Sequence, residues 1–323
     1  MKAPAKVCHL VGRPFVHMKA RDCVNVVVIG AGAVGMLTAS FLSEVGIQVT
    51  VVVRRQEQAH ELNHQGLTRV SLNGTKIKTK VDAVTSVCAV PHADLVIITV
   101  KYGQLHTVYE QLAALPKDIP LLFMQNGLAH YEEALQLQQE TIAFSSITFG
   151  AQVENNTTVL HRGVGLCQLA IARGDITVFM KLEQLVHQDF SIKITRNAEQ
   201  MLFEKAVFNS LINPLTAILQ VKNGELVTNR QAFTIVQTIY QELIEAFPGL
   251  AVNIGFSDVV ALCEKTANNT SSMLADRLNS RKSEIETIVG AILKKALQNG
   301  HTLPTLRTLY LQVLAIEESG VQN

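Results

Sequence analysis

A strand–turn–helix–strand pattern near the start of the sequence constrains the fold more than any other feature. Val24–Ile29 (VNVVVI) is a short β-branched run that predicts a buried parallel strand. It leads directly into the glycine-rich turn Gly30–Gly35 (GAGAVG). A helix is predicted from about Ala33 to Val45, and Gln48–Val53 (QVTVVV) predicts the next strand. This order is typical of the first turn of a nucleotide-binding α/β sheet.

Each glycine of the turn has a physical reason for its position. Gly30 permits the tight turn, Gly32 lets a pyrophosphate approach the backbone, and Gly35 lets the helix pack on the strand. The helix N-terminus supplies free N–H groups for the anion. A G-x-G-x-x-G alone is a weak signal, but between strand and helix it predicts dinucleotide binding. The predicted cofactor contacts in the turn are Gly30, Ala31, Gly32, Ala33, Val34 and Gly35.

Two arginines follow the second predicted strand, where sites that prefer NAD carry an acidic residue for the ribose diol. Arg54 lies 19 residues after Gly35, which is the expected offset. A guanidinium there can bind a 2′-phosphate with two hydrogen bonds, so the sequence favours NADP over NAD. The alternative is that Arg54 and Arg55 are simply solvated at a strand end.

Polar residues also follow the next two predicted strands, Asp94–Val100 and Pro120–Met124. Lys101 ends the first of them and Asn126 the second. Ligands of doubly wound sheets bind beyond the carboxyl ends of strands, so both residues are candidates for the cleft, and Ala151 is expected near the cofactor. Lys101 is equally well interpreted as a surface lysine, and Asn126 as part of a turn.

Additional strands are predicted on either side of these elements. Leu67–Lys80 reads as a hairpin that turns at Asn73-Gly74 and decorates the sheet. The stretch from Ala143 to Leu169 alternates apolar and polar residues. His161 lies in this stretch and is expected to be structural rather than catalytic.

The second half of the chain opens with a long helix, predicted over Ala198–Leu219. Lys205, Asn209 and Asn213 are spaced i, i+4, i+8 on it and therefore share one face. Burying them unpartnered would cost on the order of a few kcal/mol, so a polar ligand is predicted opposite. Alternatively, Lys205 is solvated and the asparagines pair between helices. Pro214 is expected to kink the helix and to free a carbonyl.

The remaining sequence is predicted to be helical. Thr195 and Asn197 offer N-caps for the long helix, and later helices are expected at Arg230–Phe247, Asp258–Ala267 and Pro304–Glu317. The loop Asn268–Ser272 suits a carboxylate ligand, unless Ser271 or Ser272 caps the next helix. Ser283 and Glu286 form the pattern of a capping box, which places Glu284 in a first helical turn. Dipole stabilisation alone could explain a carboxylate there.

Composition excludes several classes of function. The net charge of +1 has no basic block and Trp is absent, which argues against a nucleic-acid or anionic-membrane partner. Five scattered cysteines without C-x-x-C suit a reducing cytoplasm, and ten histidines without H-E-x-x-H or Cys/His pairs at ligand spacing give a metal site only weak support. No apolar run reaches the roughly 18 residues of a membrane span. The first 17 residues do not resemble a secretion signal, and translation could begin at Met18.

These patterns predict an α/β fold: an N-terminal Rossmann-type doubly wound parallel sheet followed by an all-helical C-terminal domain. The length of 323 residues favours two domains. We expect a poorly ordered N-terminal extension over residues 1–22, an NADP-binding domain over 23–195, and a helical substrate and catalytic domain over 196–323.

Taken together, the motifs resemble those of the ketopantoate reductases (2-dehydropantoate 2-reductases), from about Val24 to the last helix. The resemblance rests on GAGAVG, Arg54, K-x-x-Q at Lys101, QNG around Asn126, K-x3-N-x3-NP-x-TA at Lys205–Ala217, NGEL at Asn223–Leu226, and SSML followed by Glu284. It implies a 6-phosphogluconate-dehydrogenase-like fold, NADPH as cofactor, and reduction of 2-dehydropantoate in pantothenate synthesis. The N-terminal extension has no counterpart in the family pattern.

The resemblance also implies roles for residues already singled out. Lys205 matches the proton donor, and Glu284 an acid near Lys205 and the nicotinamide ribose. Lys101 and Asn126 match residues that line the cleft at the nicotinamide. The residues that match substrate ligands are Asn126, Lys205, Asn209, Asn213, Asn223 and Ser272. Glu284 is expected to hold the ammonium of Lys205 in place and to keep it charged.

Two alternatives remain at this point. One is a related NADP-dependent 2-oxo or hydroxy acid dehydrogenase, and the other is a non-catalytic NADP-binding sensor. Under the main interpretation the partner is a small 2-oxo acid, and the protein is a monomer or a homodimer in the cytoplasm.

Overall fold

The structure, a computed structural model, describes residues 24–90, 92–184, 187 and 189–320. The predicted N-terminal extension lies outside these residues. Within the described residues there are twelve strands: β1 Asn25–Ile29, β2 Gln48–Val52, β3 Leu67–Val70, β4 Lys76–Thr79, β5 Asp82–Val84, β6 Leu95–Ile98, β7 Leu121–Phe123, β8 Ile142–Ile147, β9 Gly150–Val153, β10 Thr158–Gly163, β11 Gly165–Arg173 and β12 Phe190–Thr195.

Thirteen α-helices accompany the strands in the described part of the chain: α1 Ala33–Glu44, α2 Gln56–Gln65, α3 Leu105–Ala113, α4 Ala129–Ala134, α5 Thr177–Gln184, α6 Ala198–Leu219, α7 Glu225–Thr228, α8 Arg230–Ala246, α9 Leu250–Asn253, α10 Phe256–Lys265, α11 Ser272–Leu278, α12 Ala291–Gln298 and α13 Pro304–Gly320. Two 3₁₀ turns (Val87–Ala89 and Tyr102–Gln104) and a π-turn (Glu286–Gly290) complete the elements. None of these helices combines the length and apolar character that crossing a bilayer requires.

The main sheet has eight strands in the order β12-β11-β8-β7-β6-β1-β2-β5. Its neighbouring pairs are parallel except for β11 with β8, which run antiparallel. The predicted doubly wound α/β sheet is therefore confirmed, with two reversed strands, β11 and β12, at one edge. Between β8 and β11 the chain passes through β9 and β10, which belong to a second sheet, and it re-enters the main sheet in the opposite direction.

A second sheet of four strands, in the order β4-β3-β10-β9, covers the outer side of α1. The predicted hairpin is confirmed as the antiparallel pair β3 and β4, with Gly74 at a φ of +85° in the turn. It does not extend the main sheet, because β10 pairs with β3 and draws it into the separate sheet. Since α1 packs between two sheets, eight consecutive residues of this helix, 35–42, are buried.

Helix α6 joins the sheet to the helical part of the chain. Its first turns, with Ala198, Met201 and Leu202, belong to the apolar core beneath the main sheet. Its middle belongs to a second core shared with α8, α10 and α13. Asn197 accepts the N–H of Gln200, so the predicted N-cap is confirmed. The helix runs unbroken through residue 214.

The predicted capping box at Ser283 and Glu286 is wrong. The Ser283 hydroxyl accepts the N–H of Ile285, whereas the carboxylate of Glu286 accepts the hydroxyl of Tyr310 on α13 at 2.6 Å. A distant tyrosine thus takes the acid that the local pattern assigns to the cap. The helix begins as a π-turn instead, and Glu284 stands just before it.

Candidate active site

The glycine turn leaves open space where a dinucleotide is expected. Gly30 has a φ of +111°, and a Cβ on Gly35 would lie 1.9 Å from the Gly30 oxygen, so neither position tolerates a side chain. A Cβ on Gly32 would meet nothing within 4 Å. No side chain caps α1 at Gly32, and its first turn carries no acidic residue. The free N–H groups and the open backbone therefore fit a pyrophosphate.

The structure separates the two arginines that follow β2. Arg55 donates to the side-chain oxygen of Asn156 at 2.5 Å. Arg54 is exposed and makes no hydrogen bond or ion pair with any described residue. Its guanidinium is therefore the one that can bind an added phosphate at the end of β2.

Ala151 lies on β9 and packs against the same apolar core as Ala31 and Val34 of the glycine turn. The two segments are neighbours because the outer sheet covers α1. The prediction that Ala151 lies near the cofactor is compatible with this packing, and its contact with the cofactor stays a prediction.

Lys205 is half-buried, and its ammonium donates to the backbone carbonyl of Ile147 at 2.6 Å. Ile147 is the last residue of β8, so this bond ties α6 to the carboxyl end of a central strand. Burial lowers the pKa of Lys205 to about 8, while the nearby negative charge of Glu284 opposes the shift. The alternative of a solvated lysine is wrong for this residue.

Glu284 and Asn126 meet across the two halves of the chain. The Asn126 amide donates to the Glu284 carboxylate at 2.9 Å. Burial raises the pKa of Glu284, and this hydrogen bond together with the charges of Lys101 and Lys205 opposes the rise. Contrary to expectation, Glu284 and Lys205 form no ion pair within 4.0 Å in the described structure. The ammonium is held by a carbonyl instead, and Glu284 acts on it through its field.

The two asparagines of the α6 stripe differ in their partners. Asn213 is buried and donates to the Ser272 hydroxyl at 3.4 Å. Asn209 is half-buried, and its side chain has no hydrogen-bond partner in the described part of the chain. Ser271, not Ser272, caps α11 by accepting the N–H of Leu274. The exposed Ser272 hydroxyl is therefore left at the helix start, where it can bind a ligand.

Asn223 carries an unsatisfied acceptor. Its amide nitrogen donates to the Thr266 hydroxyl at 3.0 Å, but its buried side-chain oxygen has no partner among the residues that the structure describes. An unpaired buried acceptor is costly, so a ligand that brings a hydroxyl or N–H group to this oxygen would be favoured.

Lys101 is exposed over 55% of its side chain. It forms an ion pair with Asp276 of α11 at 3.2 Å, and its charge also reaches Glu284. The sequence offered no signal for this pairing. Ile147 was missed as well, because it contributes a backbone carbonyl that any residue type would supply.

Both halves of the chain match models of one protein family. Residues 26–174 match the family model described as ketopantoate reductase PanE/ApbA, and residues 197–317 match the model of its C-terminal part. The chain belongs to the ketopantoate reductase PanE/ApbA family. The predicted family resemblance is therefore confirmed. Residues 1–25 lie outside both matches.

Similar proteins align with more than nine-tenths of this chain. A 2-dehydropantoate 2-reductase of Listeria monocytogenes is 35% identical over 92% of this chain and 99% of its own. The crystal structure of a probable 2-dehydropantoate 2-reductase from Bacillus subtilis has a TM-score of 0.82 and 32% identity, covering 91% and 100% of the two chains. A D-mandelate dehydrogenase with NADH and anilino(oxo)acetate has a TM-score of 0.82 and 25% identity, covering 92% and 99%.

The electrostatic coupling between Glu284 and Lys205 can be tested without measuring turnover. Glu284→Gln removes the charge that opposes the lowered pKa of Lys205, so the pKa should fall further below about 8. NMR titration of the labelled lysine side chains measures it, with Lys205 assigned by substitution. The exposed Glu264→Gln on α10 is the matched control and should leave the Lys205 titration in place. An unchanged Lys205 titration in Glu284→Gln would contradict the coupling.

Proposed function

We propose that this protein reduces 2-dehydropantoate to pantoate with NADPH, a step of pantothenate biosynthesis, with Lys205 as the proton donor. The observation that carries the proposal is a single half-buried ammonium on α6, fixed by the Ile147 carbonyl, in a member of the ketopantoate reductase family. The predicted activity of an oxidoreductase acting on CH–OH groups is the one that its relatives carry in their names.

NADPH is the cofactor that the residues fit best. The glycine turn offers open backbone and free N–H groups to a pyrophosphate, and Arg54 offers an unengaged guanidinium to a 2′-phosphate. Lys101, Asn126, Ala151 and Glu284 are proposed to line the rest of the cofactor cleft. When bound, the reduced nicotinamide supplies the hydride for the carbonyl carbon of the substrate.

The substrate class is a short 2-oxo acid with a hydroxyl group. The exposed hydroxyl of Ser272 at the start of α11 is proposed to bind the carboxylate. The buried side-chain oxygen of Asn223 has no donor within the described part of the chain, and a substrate hydroxyl can supply one. Asn126, Asn209 and Asn213 are proposed to bind the remaining polar atoms. Because the site presents carboxamides for a hydroxyl, an analogue that lacks the hydroxyl should be rejected strongly.

Lys205 supplies both charge and proton. An ordinary lysine has a pKa of 10.5, whereas burial brings that of Lys205 to about 8. The ammonium therefore stays mostly protonated at neutral pH but transfers a proton more readily. As negative charge grows on the substrate oxygen, Lys205 stabilises it and delivers the proton. The Ile147 carbonyl engages one of its three N–H groups, which leaves donors for the substrate.

Lys205→Ala should lower kcat for 2-dehydropantoate by several orders of magnitude while binding of NADPH survives. Turnover is measured as NADPH oxidation at 340 nm, and NADPH binding by fluorescence titration. Lys265→Ala, at an exposed position on α10, is the matched control and should keep wild-type turnover. A loss of less than about tenfold in Lys205→Ala would contradict its assignment as the proton donor.

Arg54→Ala should weaken the binding of NADPH but leave the binding of NADH unchanged, because only NADPH carries the 2′-phosphate. Loss of a charged hydrogen-bonded contact predicts an increase of about 10–100-fold in the KM for NADPH. Arg55→Ala is the control, since that guanidinium is bound to Asn156. Equal effects of Arg54→Ala on both coenzymes, or a larger effect of Arg55→Ala, would contradict the proposed coenzyme site.

A second candidate is a related 2-oxo acid dehydrogenase with another substrate. It is favoured by the likeness to a D-mandelate dehydrogenase at a TM-score of 0.82. Initial rates with 2-dehydropantoate, 2-oxoisovalerate, pyruvate and an aryl 2-oxo acid separate the two candidates. Failure to oxidise NADPH with any of them would instead favour a binding protein without turnover. A cytoplasmic location and a monomeric or homodimeric state stay predictions.

A further inference from the structure

The turn after β7 docks on the helical half of the chain through its backbone. Gly127 has a φ of +87°, and a Cβ at this position would lie 2.2 Å from the carbonyl oxygen of Thr287. The next residue, Leu128, donates its N–H to that same oxygen at 2.9 Å. A side chain on Gly127 would therefore both strain the turn and push the two backbones apart.

Thr287 belongs to the π-turn Glu286–Gly290, which begins two residues after Glu284. Such turns are rare and concentrate at functional sites. The Thr287 hydroxyl donates to the Glu284 carbonyl at 3.0 Å, and the N–H of Ile288 donates to the same carbonyl at 3.1 Å. The π-turn thus fixes the backbone of the residue whose carboxylate accepts from Asn126.

The other end of the turn is fixed to the main sheet. The buried Gln125 amide donates to the carbonyls of Ile98 and Val100 at 3.1 and 3.0 Å. Ile98 is the last residue of β6, and Val100 lies two residues after it. From β6 to the π-turn, the polypeptide is therefore held at consecutive residues: Gln125 on the sheet, Asn126 on the Glu284 carboxylate, and Gly127-Leu128 on the Thr287 carbonyl.

We propose that Gly127 is a positioning residue: its missing side chain lets residues 125–128 dock on the Thr287 carbonyl, and this docking sets the place of Glu284 opposite Lys205. The inference rests on the proposed function, in which Lys205 is the acid. In this role Gly127 acts through Glu284.

The charged groups around Lys205 and Glu284 determine how a displacement of the Glu284 carboxylate can be measured. Lys205 faces Glu284 and the buried thiol of Cys167, and burial keeps that thiol neutral by raising its pKa to about 11. Glu284 faces Lys101, Lys205 and Asp276. Glu284 is therefore the carboxylate that raises the pKa of Lys205, and moving it away lowers that pKa. Reduction needs the protonated lysine, so the basic limb of the pH–rate profile moves to lower pH.

Gly127→Ala tests the proposal directly. We expect kcat to fall about tenfold or more, and the basic limb and the NMR titration of Lys205 to move about half a pH unit or more to lower pH. Gly249→Ala is the matched control. Gly249 lies just before α9 with a φ of −67°, and a Cβ there would meet nothing in the described structure within 4 Å, so the same substitution should have no effect.

The Glu284→Gln background decides whether Gly127 acts through Glu284. There, Gly127→Ala should produce no further shift of the Lys205 titration, because the charge that it displaces is already gone. If Gly127→Ala shifts the Lys205 titration equally in the wild-type and the Glu284→Gln backgrounds, the proposal is overturned. It is also overturned if Gly127→Ala leaves both the Lys205 titration and kcat at their wild-type values. If Gly127→Ala does not fold, Thr287→Val tests the same link, since it removes the hydroxyl bond to the Glu284 carbonyl; an unchanged titration there would also overturn the proposal.

The NMR titration separates this proposal from the proposed function. A wild-type protein that fails to reduce 2-dehydropantoate while Gly127→Ala still shifts Lys205 would refute the substrate assignment and uphold the positioning role. If the wild type reduces 2-dehydropantoate but Gly127→Ala does not shift the Lys205 titration, the substrate assignment is upheld and the positioning role is refuted.

Discussion

The bond between the Lys205 ammonium and the Ile147 carbonyl is the contact on which the site depends. A buried ammonium costs several kcal/mol unless its donors and its charge are compensated. The carbonyl supplies a partner at 2.6 Å, and the field of Glu284 supplies compensating charge without direct contact. A lysine in a tight ion pair would be a weaker acid, whereas this one keeps a pKa of about 8.

The fold brings this arrangement about by sharing α6 between two apolar cores. The start of the helix packs beneath the main sheet, and its middle packs among α8, α10 and α13. Lys205 lies between these two regions, so its side chain reaches the end of β8 while Asn209 and Asn213 extend along the same face towards α11. The turn at 125–128 closes the other side by joining β7 to the π-turn.

Local patterns predicted the elements well, and long-range contacts explain the errors. The bounds of α6 and the N-cap at Asn197 follow from helical periodicity and capping chemistry, which act within a few residues. The capping box failed because Tyr310, distant in sequence, binds Glu286. Arg54 and Arg55 look alike in the sequence, and only Asn156, 101 residues beyond Arg55, separates them. The partner of Lys205 is a backbone atom, which leaves no mark in the residue pattern.

A crystal structure with NADP⁺ and pantoate tests the central claim most directly. In this complex the Lys205 nitrogen should keep its bond to the Ile147 carbonyl and lie about 3 Å from the 2-hydroxyl oxygen of pantoate. The same complex should place the nicotinamide beside the carbon that bears this hydroxyl. A structure in which Lys205 points away from the bound ligands, or in which another side chain takes the 2-hydroxyl, would contradict the account.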